Sequence, residues 1–141
     1  MKKNILFLCT GNSCRSQMAE GWGRYLKGDQ FNFYSAGTKK HGLNPRAVNV
    51  MAELDVDISH HSSKTTDELP DVKMDYVITV CSDAHESCPF FPGGKVVHKG
   101  FDDPPRLTKD MKNEEEILKV YRQVREEIKD FVLKIEKYLE L

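Results

Sequence analysis

A continuous apolar run, a polar loop and an amphipathic helix follow one another at the start of the chain. Residues 5–8 are all apolar, which is typical of a strand buried on both faces of a parallel sheet. Polar residues 10–13 end this run, and apolar residues then recur at spacings of three and four from Met18 to Leu26. That spacing predicts a helix that ends near Gly28. A buried strand that leads directly into a helix favours an α/β fold.

The rest of the chain repeats the alternation of strands and helices. Further strands are predicted at residues 31–37, 76–80 and 96–98, and further helices at 45–54 and from about 113 to 139. Asn44 followed by Pro45 is a typical helix start. The expected fold class is α/β: a three-layer sandwich with a four-stranded parallel sheet flanked by helices, in one domain that spans residues 1–141.

The composition excludes several function classes. The 141 residues carry 21 Lys and Arg against 22 Asp and Glu, a formal charge of −1, which lacks the basic signature of a nucleic-acid binder or a polybasic membrane module. No apolar run near the start approaches the about 20 residues of a membrane span or forms a signal-peptide core. We therefore expect a cytoplasmic protein with neither nucleic acid nor a membrane as its partner.

Four cysteines, Cys9, Cys14, Cys81 and Cys88, are candidates for chemistry. They are too few and too unevenly placed to cross-link a domain of this size, and a reducing compartment would keep them as thiols. Their spacing does not match the close pairs of a structural zinc site, so no metal is expected there. Cys9 and Cys81 follow predicted strands, and ligands of parallel sheets bind beyond the carboxyl ends of strands.

Residues 9–16 form a loop suited to a tetrahedral oxyanion. Backbone N–H groups at the start of a helix bind anions, and Arg15 presents a planar fork of donors for two oxygens. Cys9 is the candidate nucleophile because the same donors stabilise a thiolate. The alternative is a strand-end cysteine with an unrelated arginine in a turn. The candidate oxyanion-binding residues are Thr10, Gly11, Asn12, Ser13, Cys14, Arg15 and Ser16.

The segment CTGNSCRSQMAEG at residues 9–21 resembles the anion loop of the low-molecular-weight protein tyrosine phosphatase fold, and specifically that of the thioredoxin-coupled arsenate reductases. The likeness covers most of the chain and continues through YSAG, HGLNP, DIS, VCSD, CP and GFDDP at residues 34–37, 41–45, 57–59, 80–83, 88–89 and 100–104. The two later cysteines point to the reductases. The resemblance implies arsenate as substrate, thioredoxin as partner, a role in arsenic detoxification and no tightly bound cofactor.

Electron counting separates a reductase from a phosphatase. Hydrolysis of a phosphate ester transfers no electrons, whereas reduction of arsenate to arsenite takes two, which two thiols supply by forming a disulfide. A third thiol regenerates the nucleophile by exchange. The hypothesis is that Cys9 attacks arsenic, that Cys81 attacks Cys9 and releases arsenite, and that Cys88 then forms a Cys81–Cys88 disulfide, which thioredoxin reduces.

The resemblance assigns the general acid to Asp103. Pro104 restrains the preceding residue to extended geometry, which suits a carboxylate held over the loop, and Asp102 is the alternative. The second hypothesis is a phosphatase acting on phosphotyrosine or a small phosphate ester, although Pro105 and Arg106 stand where such enzymes usually carry tyrosines. Weak phosphatase activity is expected even of a reductase. The third hypothesis is an oxyanion or redox sensor that signals through a partner.

Asn12, Glu20 and Ser35 match positions at which some of these reductases hold a potassium ion. The fourth position, next to Ser63, is an aspartate in those members and Lys64 in this chain. We expect the lysine ammonium to lie near Glu20 and replace the ion; the alternative is a solvated lysine and no ion. Cys14 is expected to be a supporting or spare thiol. Surface or capping roles are expected for His41, His60, His61, His85 and His98.

Overall fold

The computed structural model describes residues 2–81 and 93–141. The strands are β1 Lys3–Cys9, β2 Phe31–Gly37, β3 Tyr76–Thr79 and β4 Lys95–His98. The helices are α1 Arg15–Lys27, α2 Pro45–Ala52, α3 Pro104–Thr108, α4 Glu114–Leu133 and α5 Ile135–Tyr138, with a 3-10 turn at Thr66–Glu68. In these two ranges, no helix combines the length and the apolar content needed to cross a bilayer.

The four strands form one parallel sheet in the order β2-β1-β3-β4. This arrangement confirms the predicted fold class. Cys9 at the end of β1 is in register with Gly37 at the end of β2. Thr79 at the end of β3 is in register with His98 at the end of β4. All four strands therefore end at one side of the sheet, here called the carboxyl edge, where ligands of parallel sheets bind.

A large apolar core lies between the sheet and the helices α1, α2, α4 and α5. The indole of Trp22 in α1 is 1% exposed and donates to the Arg125 carbonyl of α4 over 3.2 Å, so the two helices are held together by a directed bond as well as by packing. On the opposite face, Leu6 and Leu8 pack in a smaller core with Met74 and Leu69. The central strand β1 is therefore buried on both faces, as its apolar run predicts.

The prediction of one continuous C-terminal helix was wrong. The helix is interrupted at Lys134, whose backbone angles are φ −107° and ψ 20°, and whose N–H donates to the Phe131 carbonyl three residues back. The apolar stripe continues across the break, since both Phe131 and Ile135 are buried. Apolar periodicity reports which face of the chain is buried, so it misses a tightened turn that leaves this face unchanged.

Candidate active site

The anion loop, residues 9–16, connects the end of β1 to the start of α1. Cys9 is 2% exposed and is a free thiol. Asn12 adopts the left-handed conformation, with φ 48°, which asparagine tolerates better than most residues. Its side chain is fully buried. The loop therefore turns back on itself at Asn12, between the candidate nucleophile and the helix that follows.

The segment of residues 38–44 holds the loop carbonyls from the outside. Its backbone N–H groups donate over 3.0–3.1 Å, from Thr38 and Lys39 to Thr10, from His41 to Gly11, and from Asn44 to Ser13. In a trans peptide the carbonyl and the next N–H point in opposite directions. The N–H groups of Gly11, Asn12 and Cys14 are therefore turned away from this segment, an orientation suited to an anion held by the loop.

A polarised hydrogen-bond chain ends at the Cys9 sulfur. The Ser16 hydroxyl oxygen lies 2.9 Å from Cys9 Sγ and accepts a hydrogen bond from Asn12 Nδ2, also over 2.9 Å. Because Ser16 accepts from Asn12, its own proton is available to the sulfur. A hydroxyl that donates to sulfur stabilises the thiolate, which is the reactive form of a cysteine.

Asn12 is in turn oriented by Gln17 in α1 and by Lys64, which is far away in the sequence. Its Oδ1 accepts from Gln17 Nε2 and from the Lys64 backbone N–H, each over 2.9 Å. Gln17 Oε1 lies 2.9 Å from His61 Nδ1, and burial lowers the pKa of His61 against the opposing effect of Glu20. A neutral imidazole therefore donates to Gln17 near pH 7.

The expectation of a surface or capping role was wrong for His61. Its side chain is only 5% exposed and belongs to the hydrogen-bond chain beneath the anion loop. No local pattern in the sequence marks this contact, because Gln17 lies 44 residues away. His41 is exposed, yet its ring packs on Gly11 so closely that a methyl group at Gly11 would lie 2.3 Å from Nδ1.

Cys14 lies in the same loop as Cys9 but in a different environment. It directly precedes α1 and is 4% exposed. Burial raises the pKa of the Cys14 thiol well above its usual value, the Asp103 carboxylate raises it further, and Arg15 opposes both. Cys14 is therefore a neutral thiol near pH 7, which is a poor nucleophile.

The structure brings Asp103, and not Asp102, to the arginine of the anion loop. Arg15 is 4% exposed and donates through Nη1 to the Phe101 carbonyl over 3.2 Å, while its Nη2 lies 3.7 Å from Asp103 Oδ1. Asp103 has the extended backbone expected before Pro104, with φ −91° and ψ 102°. Asp102 is exposed. The geometry thus favours Asp103 over Asp102 as the carboxyl group that approaches a bound oxyanion.

Cys81 lies two residues beyond β3, at the carboxyl edge of the sheet. It is fully buried and belongs to the same apolar core as Cys9. Cys81 is in disulfide-bonded form, whereas Cys9 and Cys14 are free thiols. Cys88 and His85, also named from the sequence, lie outside the described residues.

The four positions compared with a potassium site lie together beneath the anion loop. Glu20 Oε1 accepts from the Ser35 hydroxyl over 2.5 Å, and Glu20 Oε2 pairs with Arg24 at 2.9 Å. Lys64 Nζ lies 3.4 Å from the Ser35 carbonyl oxygen. The lysine ammonium therefore contacts this cluster at Ser35, and the Glu20 carboxylate, near which it was expected, pairs with the Arg24 guanidinium.

A parallel four-stranded sheet with a Cys-x5-Arg loop between β1 and α1 is the arrangement expected of the low-molecular-weight protein tyrosine phosphatase fold. The family comparison agrees with this class. The family model described as low molecular weight phosphotyrosine protein phosphatase matches residues 4–140, and the chain belongs to this family.

Within the family, several proteins similar to this chain are named arsenate reductases. Arsenate reductase 2 of Staphylococcus saprophyticus is 49% identical over 131 residues, which are 92% of this chain and 96% of the relative. A solved structure of an arsenate reductase in the phosphate binding state has 27% identity, covers 96% of this chain and 98% of its own, and superposes with a TM-score of 0.77. A thioredoxin-dependent arsenate reductase of Corynebacterium glutamicum, at 25% identity, covers 94% of this chain and 62% of its own, with a TM-score of 0.60.

Replacing Ser16 by alanine should slow alkylation of Cys9 by iodoacetamide at pH 7 by about tenfold, because one charge-assisted hydrogen bond to the thiolate is lost. The measurement is the rate of modification of the Cys9 peptide by mass spectrometry. Ser59→Ala is the matched control, since the Ser59 hydroxyl bonds to exposed Asp57. An alkylation rate equal to that of the wild type would contradict the stabilisation of the thiolate by Ser16.

Proposed function

We propose that this protein reduces arsenate to arsenite with thiol electrons and is regenerated by thioredoxin in the cytoplasm. One observation carries the proposal: a nucleophile candidate in an anion loop, Cys9, shares a core at the carboxyl edge with a second cysteine, Cys81. A hydrolase needs only the first of these. The names of the similar proteins agree with this interpretation.

The first step forms a bond between sulfur and arsenic. Arsenate binds to the loop N–H groups and to the Arg15 guanidinium, which neutralise its charge. The Cys9 thiolate attacks arsenic, one arsenic–oxygen bond breaks, and the departing oxygen leaves as water. Asp103 supplies a proton to that oxygen, a role supported by its position 3.7 Å from Arg15.

The electron pair moves in the second step. In the reduced protein, the free thiol of Cys81 attacks the Cys9 sulfur, the sulfur–arsenic bond breaks, and its two electrons stay with arsenic, which leaves as arsenite. The product on the protein is a Cys9–Cys81 disulfide. Cys88 then attacks Cys81, so that Cys9 is released as a thiolate and the disulfide moves to the second and third cysteines. A thioredoxin dithiol reduces this disulfide and becomes oxidised itself.

A phosphatase activity is the second candidate function. The family description and the grouping of Cys9, Arg15 and Asp103 support it, because the same three groups serve attack on a phosphate ester. Phosphate and arsenate have the same tetrahedral shape and charge. We propose that this hydrolysis is weak compared with arsenate reduction, since it leaves Cys81 without a role.

The direct test of the function follows NADPH oxidation in the presence of thioredoxin and thioredoxin reductase. Arsenate should support continuous oxidation, and phosphate at the same concentration should not. Cys9→Ser should abolish the signal, because a hydroxyl cannot form the disulfide. No oxidation by the wild-type protein with arsenate would refute the reductase, and sustained turnover would exclude a sensor without catalysis.

The relay predicts a distinct result for Cys88→Ser. This variant should release one equivalent of arsenite per protein and then stop, because the Cys9–Cys81 disulfide cannot be resolved from within the chain. The measurement is the arsenite yield in a rapid-quench experiment, with mass mapping of the disulfide. Multiple turnovers of this variant with thioredoxin would contradict the three-thiol scheme.

We propose that no potassium ion is needed to steady the anion loop. The residues present do not suit such an ion: Glu20 is already paired with Arg24, and the Lys64 ammonium lies at Ser35, where it would repel a cation. Lys64 also supplies the backbone N–H that orients Asn12. Lys64 therefore contacts Ser35 through its ammonium group and the anion loop through its backbone N–H.

Turnover should therefore be the same in sodium and potassium salts at equal ionic strength. Lys64→Asp should make turnover depend on potassium, because a carboxylate replaces the ammonium that lies at the Ser35 carbonyl. Lys73→Asp, an equal change of charge at an exposed site, is the matched control. Strong activation of the wild-type enzyme by potassium would show that the lysine does not replace the ion.

A further inference from the structure

The buried hydroxyl group of Tyr121 is connected to the anion loop through one residue, Asn44. Tyr121 of α4 is 1% exposed and packs in the large core. Its hydroxyl oxygen accepts a hydrogen bond from Asn44 Nδ2 over 3.1 Å. Burial raises the pKa of Tyr121, whereas the bond from Asn44 and the nearby Arg46 oppose this effect, so the hydroxyl stays protonated near pH 7. A phenylalanine ring would fill the same space, so the packing alone does not require the hydroxyl.

Asn44 connects this hydroxyl to two backbone elements. Its Oδ1 accepts from the N–H groups of Arg46 and Ala47 at the start of α2, which is the usual role of an N-cap residue. Its own backbone N–H donates to the Ser13 carbonyl of the anion loop over 3.0 Å. With the Oδ1 bonded to α2 and the Nδ2 to Tyr121, both ends of the side-chain amide are held.

The Ser13 carbonyl is the group through which this arrangement reaches the oxyanion. The peptide between Ser13 and Cys14 is planar and trans, so a carbonyl directed at Asn44 requires the Cys14 N–H to point the opposite way. Rotation of this peptide would remove one donor from the loop and turn an acceptor towards the anion. Small changes at Asn44 should therefore weaken anion binding more than they change the reactivity of the Cys9 sulfur. That sulfur is hydrogen-bonded to Ser16, whereas the hydrogen bonds of Asn44 go to other residues.

We propose that the Tyr121 hydroxyl is a positioning group for the anion loop, acting through Asn44 on the orientation of the Ser13–Cys14 peptide. The inference rests on the proposed oxyanion site of the loop. It concerns the binding of any tetrahedral oxyanion, not the transfer of electrons. It is therefore tested with inorganic phosphate and without turnover of arsenate.

The experiment measures protection of Cys9 by phosphate in the full-length protein. Alkylation of Cys9 by iodoacetamide is followed at increasing phosphate concentration, which yields both the phosphate Kd and the rate without phosphate. Tyr121→Phe should weaken phosphate binding by about threefold to tenfold, the range expected for one hydrogen bond. The rate without phosphate should not change. Tyr25→Phe is the matched control, because Tyr25 is 60% exposed.

Asn44→Ser gives an independent second variant. Serine is as good an N-cap as asparagine, so the start of α2 is preserved while the amide donor to Tyr121 is removed. This variant should weaken phosphate binding by a factor similar to that of Tyr121→Phe. The double variant should bind phosphate about as tightly as the single variant with the higher Kd, because both changes break the same connection.

Three results would overturn the inference: phosphate binding by Tyr121→Phe equal to that of the wild type, additive losses in the double variant, or a parallel fall of Cys9 reactivity and melting temperature that accounts for the loss. The failure of the proposed function is separate. If phosphate protects Cys9 in a wild-type protein that reduces no arsenate, the reductase is refuted and the role of Tyr121 is still measured.

Discussion

The anion loop depends on hydrogen bonds that hold its carbonyl groups outwards. An anion binds to N–H groups, and a peptide can turn an N–H inwards only if its neighbouring carbonyl finds a partner on the other side. The segment of residues 38–44 supplies these partners as backbone N–H groups. The segment follows directly from β2, so the register between Cys9 and Gly37 at the carboxyl edge sets its position relative to the loop.

The reactivity of Cys9 depends on a second set of contacts beneath the loop. Ser16 contacts the sulfur, Asn12 orients Ser16, and Gln17 orients Asn12. His61 and Lys64 complete this set from a distant part of the chain. The two sets of contacts have different roles. The segment of residues 38–44 orients the loop N–H groups towards the oxyanion, and the contacts beneath the loop direct the Ser16 proton to the sulfur. Cys14 belongs to the same loop, but burial raises the pKa of its thiol and, within the part of the chain that the structure describes, no contact of this second set reaches it.

Much of the fold could be predicted because it depends on local patterns. The apolar run at residues 5–8 predicted β1, and Asn44 followed by Pro45 predicted the start of α2, and the structure contains both. The interruption at Lys134 could not be predicted, because it alters hydrogen bonding while the same apolar face remains buried. The site shows the same division. The order of residues in the loop marked Cys9, Arg15 and Ser16 as neighbours, whereas the burial of His61 against Gln17 followed from no nearby residue.

The sequence by itself determined the anion loop between a buried strand and a helix, the number of thiols, and the restraint that Pro104 places on Asp103. These features depend on residues that are adjacent in the chain or repeat with the period of a strand or helix. Only the tertiary structure decided that Asp103 rather than Asp102 approaches Arg15, that Lys64 reaches Ser35 rather than Glu20, and that Tyr121 meets Asn44. Each of these pairs is distant in sequence, and the packing of helices and loops on the sheet determines which groups come close enough to interact.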